Sequence, residues 1–261
     1  MLVFGKIPGS TPSKTRLLSS TPLSEQETSL LSTAFLFDTL STAHQATNSA
    51  LVFASAPKIS SDELISKFED LAGVIEATFL RDIKYIEQKG ATFSERLQNA
   101  VDEVNENSPG GVVIIGTDSP TISVTTIERA LSLVETGELV LGPSASGGVY
   151  LIGLPELFFQ NNSSLVDLFD CEHKTEFEEL AGIAEKIGAN INLLPLHFDI
   201  DVAEDLINLH ALLPSLKISI DSSTTSSSFN FPQATAAVLS SLDLALQRDT
   251  ENNRKWRFQR K

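Results

Sequence analysis

The chain has 261 residues, of which 41% are hydrophobic, and it carries 34 acidic against 19 basic side chains. That length suits one large α/β domain, or one domain with a tail. The net charge of −15 argues against a broad nucleic-acid footprint, which needs surplus Lys and Arg on the phosphates. A phosphate-bearing ligand would therefore need a local basic site or a bridging divalent cation. Cys171 is the single cysteine, so no intramolecular disulfide can form, and a reducing compartment fits. No run of about 18 apolar residues occurs, so no membrane span is expected. Residues 1–5 read as a strand that starts at once rather than as a secretory signal, so a cytoplasmic location is expected.

In chain order, residues 2–4 form a short apolar strand that runs into a loop carrying Lys6, Pro8, Lys14, Thr15 and Arg16. Ser24 and Glu27 make a capping box for a helix reaching about residue 46, with Leu30, Leu31, Ala34 and Phe35 at helical spacing. Residues 51–54 are a second strand, and Ser61 with Asp62 caps a helix to about residue 70. A helix over 94–105 places Glu95 and Arg96 near its start. Residues 111–115 are a β-branched run bounded by glycines, the pattern of a strand covered on both faces. Ser123 caps a helix over 124–135. Strands at 139–141 and 149–152 flank Gly147 and Gly148. A helix over 175–187 stops at Gly188, a strand covers 191–195, and a helix over 203–212 is closed by Pro214. This alternation implies an α/β fold with a mostly parallel central sheet and helices on both faces, over residues 1–214. Beyond it, 222–228 reads as a Ser/Thr linker. Residues 234–247 suit an amphipathic helix with Val238, Leu242 and Leu246 on one stripe. The basic, aromatic end at 254–261 reads as a frayed terminus. The expected division is 1–214 for the domain and 215–261 for linker and tail.

Open α/β sheets bind ligands beyond the carboxyl ends of their strands. Asp118 follows the 112–115 strand directly, with Gly116 and Thr117 before it and Pro120 after. A carboxylate there either binds Mg²⁺ or Mn²⁺ against a diphosphate or caps the next turn. Lys14 offers a point charge and Arg16 a bidentate fork, both suited to phosphate oxygens. Gly147 and Gly148 permit either close backbone approach to a ligand or a plain hairpin turn. Asp199 and Asp201 alternate along an extended segment, which puts both carboxylates on one face. One could then ligate metal or act as a base while the other caps the helix. His44, His173, His197 and His210 show no metal-ligand spacing. No Walker loop, Gly-x-Gly-x-x-Gly fingerprint or hydrolase nucleophile elbow occurs.

Five stretches, 4–17, 88–97, 116–120, 141–154 and 199–206, together resemble the bacterial selenodomain-associated transferase family 1. That family is glycosyltransferase-like and is similar to nucleotide-diphospho-sugar transferases with the GT-A fold. The resemblance covers residues 1 to about 212. By position it implies Lys6, Lys14, Thr15 and Arg16 for the nucleotide loop. It also implies Gln88 and Arg96 beside the pocket, with Thr117, Gly147 and Gly148 on the nucleotide or substrate. Asp118 would hold the metal, and Asp199 and Asp201 the late carboxylate role. Ser146 stands where the family usually has Asp, and Val149 where it usually has Tyr.

Three readings follow. The first is metal-dependent sugar transfer from a nucleotide-diphospho-sugar to a small-molecule acceptor, with Arg16, Asp199 and Asp201 as the catalytic set. The second is a nucleotidyltransferase that consumes a nucleoside triphosphate and releases pyrophosphate. The third is a nucleotide-binding homologue inactivated at Ser146 and Val149, since Ser cannot replace a carboxylate base at neutral pH.

Overall fold

The apolar runs read from the sequence pair into a seven-stranded sheet in the order β3-β2-β1-β4-β6-β5-β7. The computed structural model describes residues 1–10, 14–47, 50–69, 71, 77–166, 168–169, 175–222, 230–249 and 255–261. Its strands are β1 (Leu2–Lys6), β2 (Val52–Ala56), β3 (Lys84–Glu87), β4 (Val112–Ile115), β5 (Leu139–Pro143), β6 (Val149–Leu154) and β7 (Ile191–Leu193). Between them lie α1 (Thr15–Ser20), α2 (Glu25–Ala46), α3 (Ser61–Glu69), α4 (Phe93–Asn107), α5 (Val124–Glu135), α6 (Glu156–Gln160) and α7 (Glu176–Ile187). After the sheet come α8 (Ala203–Ser222), α9 (Gln233–Ser241), β8 (Leu244–Arg248) and β9 (Trp256–Arg260). Cys171, His173 and residues 223–228 lie outside the described residues.

The sheet is mostly parallel, as expected. β6 runs against β4 and β5, because the connection from β5 is a tight hairpin, too short for a crossover. Alternation along β4 shows why its sequence is uniformly apolar. Val113 and Ile115 enter the core under α2 and α5, while Val112 and Ile114 enter the core under α4 and α7. The capping box of Ser24 and Glu27 is present. The cap of α3 is Ser60, whose hydroxyl accepts from the Glu63 N–H, one residue before the expected one. Among the described residues no helix is long and apolar enough to cross a membrane.

Three expectations about the C-terminal part are corrected. Pro214 does not close the helix, because α8 continues to Ser222 with Pro214 inside it. A proline removes a single backbone bond, and Leu206, Leu209 and Leu213 hold this helix by burial. The expected helix over 234–247 stops at Ser241, and residues 244–248 become β8. Leu242, Leu244 and Leu246 recur at period two, so the same leucines satisfy a strand as well as the helical stripe. The basic end is not frayed: β9 pairs antiparallel with β8, and Phe258 is buried against the α2 face of the core.

Candidate functional site

The strand order turns at β1 and β4: β2 and β3 extend to one side, β6 and β5 to the other. The loops after β1 and β4 therefore diverge and leave a crevice at their carboxyl ends. Val3 pairs with Ile115, which brings Gly5 beside the loop that follows β4. A Cβ on Gly5 would meet Thr117 Cγ2 at 2.5 Å. Glycine at this position lets Thr117 lie across β1 and so places Asp118 at the crevice.

Lys14 stands at the N-terminus of α1 with φ 55 and ψ 37, a left-handed conformation unusual for a side-chain-bearing residue. Its side chain is 6% exposed, and its Nζ lies 2.8 Å from Asp118 Oδ2 and 2.9 Å from Asp201 Oδ1. The same ammonium donates to the Ile200 carbonyl. Arg16, largely exposed, reaches Asp201 Oδ2 at 3.2 Å. Two motif loops distant in sequence are locked together beneath this cluster. The Ile200 N–H donates to the Asp118 carbonyl at 2.9 Å, and the Ser119 hydroxyl donates to Asp199 Oδ1 at 2.6 Å. Asp205 Oδ2 accepts from the N–H groups of Asp201 and Val202, which fixes the turn into α8.

Burial alone would push the Lys14 ammonium down, but Asp118 and Asp201 outweigh it and hold its pKa above the ordinary lysine value. Burial would push Asp201 up, yet Lys14 and Arg16 hold it below the usual carboxylate value. The cluster is therefore charged at neutral pH.

A cavity of about 530 Å³ opens over these groups. Lys6, Lys14, Thr15, Arg16, Gln88, Arg96, Thr117, Asp118 and Asp201 all line it, so most of the expected site residues converge. Four cationic side chains face two carboxylates there, against the strongly acidic whole chain. Gln88 Nε2 donates to the carbonyls of Gly5 and Ala54, tying the ends of β1 and β2. Arg96 Nη1 donates to the Ala91 carbonyl, while Glu95 closes the capping box with Thr92.

Asp199, Gly147 and Gly148 do not line the cavity. The 199–201 segment is irregular rather than a strand, so alternation does not hold. Asp201 enters the site and Asp199 turns to Ser119. Asp205, in the first turn of α8, accepts from the two N–H groups just ahead of the helix. Gly147, at φ +95, and Gly148 form the hairpin turn between β5 and β6, where the Ser144 N–H donates to the Gly148 carbonyl. Ser146 pairs with the Ser144 hydroxyl in that turn, outside the cavity wall, whereas Val149 lines it. His197 packs edge-to-face on Tyr150 and sits 3.3 Å from the Thr121 hydroxyl. Burial lowers its pKa, partly offset by Asp199.

Sequence reasoning missed an aromatic wall. Phe4, Phe93 and Phe169 line the cavity and stack edge-to-face, with ring centroids 5.4 Å and 4.8 Å apart. Phe93 is 43% exposed at the first position of α4. A large aromatic directly after the Thr92 cap, at a helix start facing the crevice, was the available signal.

Two carboxylate oxygens and a backbone carbonyl converge on one point, and hard oxygen donors of this kind suit Mg²⁺ or Mn²⁺. Among the described residues no group of three or more His, Cys, Asp or Glu could hold a metal. A divalent ion here would thus rest on Asp118 and Asp201, with water or ligand oxygens completing its shell.

A mostly parallel sheet with one reversed strand and a crevice at its turning point gives this chain an α/β fold like that of a nucleotide-diphospho-sugar transferase-like structure. The chain belongs to the family described as "Uncharacterized protein conserved in bacteria (DUF2064)", whose profile matches residues 39–170. That span includes Gln88, Arg96 and Asp118 but not Lys14 or Asp201. The chain is similar to a provisionally assigned nucleotide-diphospho-sugar transferase from Desulfovibrio desulfuricans G20. The TM-score is 0.65 at 21% identity, over 92% of this chain and 96% of that one. It is more loosely similar to 4-diphosphocytidyl-2C-methyl-D-erythritol synthase from Anaerococcus prevotii DSM 20548, with a TM-score of 0.48 at 12% identity over 82% and 95% of the two chains. The manganese complex of Rv0371C from Mycobacterium tuberculosis H37Rv gives 0.42 at 18% over 80% and 96%. No curated protein matches the chain significantly.

Proposed function

We propose that the chain is a nucleotide-binding transferase that moves a sugar from a nucleotide-diphospho-sugar to a small-molecule acceptor. The observation that carries this reading is the convergence of Lys14, Arg16, Asp118 and Asp201 at the carboxyl ends of β1 and β4. Arg16 has an exposed guanidinium free to fork onto phosphate oxygens while its neighbour Asp201 keeps it in place. Lys6 and Arg96 add positive charge along the rim. Asp118 and Asp201 would hold Mg²⁺ or Mn²⁺, which neutralises the diphosphate and its leaving charge. The Phe93 face offers a platform on which a nucleobase stacks. Asp199, bonded to Ser119, acts by positioning the 118–119 loop rather than by touching substrate.

Nucleotidyl transfer with release of pyrophosphate would use the same cluster, and product analysis separates it from sugar transfer. Of the two departures from the family pattern, Ser146 falls on the turn outside the cavity and Val149 on its wall, so the reading as an inactive homologue rests on Val149 alone. The finer assignment to the selenodomain-associated transferases rests on motif order, and the cytoplasmic location on the sequence alone.

The test is thermal-shift binding with nucleoside diphosphates, triphosphates and nucleotide-sugars, each with Mn²⁺, Mg²⁺ or chelator. A ligand at 100 times its dissociation constant adds about 2.7 kcal/mol. Metal-dependent stabilisation by one nucleoside diphosphate and its sugar, lost in Asp118→Ala, is the expected result. No shift with any nucleotide overturns the proposal.

A further inference from the structure

Lys14 occupies a point at which three oxygens converge: Asp118 Oδ2, Asp201 Oδ1 and the Ile200 carbonyl. Its ammonium is almost fully withdrawn from water, and the surrounding oxygens replace its hydration shell. These are also the oxygens a hard divalent cation would take. A unit charge and a double charge cannot share one point a few ångströms wide, because their repulsion in a partly buried site exceeds what either gains. Lys14 nevertheless also belongs to the basic loop that faces the ligand.

We propose that Lys14 and a divalent cation are alternative occupants of this one locus, so that loading the metal displaces the ammonium and turns Lys14 toward the ligand's phosphates. The proposal rests on the reading of the site as a metal and diphosphate centre. The backbone geometry suits such an exchange. The Lys14 carbonyl already accepts from the Leu18 N–H at 2.9 Å, so α1 anchors the main chain and the side chain can swing alone. Without metal, the ammonium keeps Asp118 and Asp201 from repelling each other. With metal, the two carboxylates keep a cation between them, and Lys14 joins Arg16 on the phosphate side.

The experiment is Mn²⁺ titration of the full chain, followed by loss of the free-ion EPR signal, for wild type, Lys14→Met and Lys14→Met/Asp118→Asn. Removing the competitor should tighten Mn²⁺ binding about tenfold or more, within the usual range of coupling between two sites' occupants. The double variant should lose that gain. Equal affinity of wild type and Lys14→Met, with binding still dependent on Asp118, overturns the exchange and leaves the transferase reading standing. No Mn²⁺ binding by either protein, with or without nucleoside diphosphates, overturns the exchange and the metal part of that reading together. Should Lys14→Met fail to fold, the wild type answers by NMR. The buried ammonium signal of Lys14 is expected to vanish as Mg²⁺ is added, and its persistence through the titration overturns the proposal.

Discussion

Two buried ionisable side chains show how differently a fold can accommodate such a group. Lys14 sits between two carboxylates, and their full charges more than offset its burial, so its ammonium is held. Asp38, within α2, is also buried, but it faces backbone N–H groups instead. Its oxygens accept from the Ala234 and Thr235 N–H at 3.2 and 2.8 Å, at the start of α9. Among the described residues no Lys or Arg pairs with it. Burial wins there over those hydrogen bonds, and its pKa is pushed up to about 7. An opposite full charge thus outweighs desolvation where two N–H dipoles do not. The first arrangement lines a cleft open to solvent. The second is sealed, and clips α9 to α2.

Asp38→Asn is the widest test of this contrast. In wild type the carboxyl titrates near 3.8 when unfolded and near 7 when folded. The folded state therefore holds the extra proton in between, and stability must fall as pH rises through that window. About three pH units correspond to at most about 4 kcal/mol. The stability of wild type relative to Asp38→Asn should accordingly decline between pH 4 and pH 7 and then level off. Urea unfolding at pH 4.5, 6 and 7.5 measures it. Parallel curves for the two proteins would mean that Asp38 titrates normally and the contrast is false.

Lys14→Met probes the other member. It leaves Asp118 and Asp201 facing each other without a counter-charge, at a cost of about 3 kcal/mol, the low end for breaking a buried pair because Asp118 is half exposed. The sign differs from that of Asp38. Asp201 is held below 3.8 and Lys14 above 10.5, so the cluster stabilises fully between those values and loses its effect outside them. The gap between wild type and Lys14→Met should be open at pH 7 and close toward pH 3. A gap that persists in acid would point to lost packing instead of lost charge.

Much of this was legible in the sequence, for reasons that also explain the failures. The uniformly apolar 112–115 run, the capping box of Ser24 and Glu27 and the strand–helix alternation were readable, because burial on both faces and local hydrogen bonding act at short range. The place of Asp118 at the crevice was readable because it directly follows the clearest strand. What could not be read was pairing at long range. Nothing local says that Lys14 crosses to Ile200 and Asp201, 186 and 187 residues further along, or that Asp199 turns to Ser119. The aromatic wall was missed because Phe93 and Phe169 come from separate connections that meet only when α4 docks. The tail was misread because Leu242 and Leu246 suit both a helical stripe with Val238 and a period-two run with Leu244, and only pairing with residues 256–260 decides between them.

Gly5→Ala asks whether the charged cluster is placed by packing. The new Cβ would fall 2.5 Å from Thr117 Cγ2. Overpacking of this kind costs about 1–3 kcal/mol, and the methyl of Thr117 can yield in part, so the lower end is expected. Displacing Thr117 should also move Asp118, and nucleotide binding should weaken along with stability. Thr117→Ser removes the clashing methyl and keeps the hydroxyl, so the Gly5→Ala/Thr117→Ser protein should recover both. Recovery of stability without recovery of binding would separate the loop's fold from its placement of the carboxylate.

Arg260→Ala should have the smallest effect and carries the contrast to the surface. Its guanidinium pairs with Glu27 and donates to the Pro22 carbonyl, tying β9 to the chain between α1 and α2. Arg260, with the Ser24 N–H second, holds Glu27 down to about 2, but the pair faces solvent, where water and salt screen most of its worth. A carboxyl lowered in this way stabilises above its unfolded value of 4.5 and loses that effect as pH falls toward 2. The melting temperature of Arg260→Ala should therefore lie slightly below wild type at pH 7 in low salt. The difference should shrink on acidification and again in high salt. A large, salt-insensitive drop would instead show that the C-terminal hairpin braces the basic loop through packing, and nucleotide affinity measured on the same variant would then fall with it.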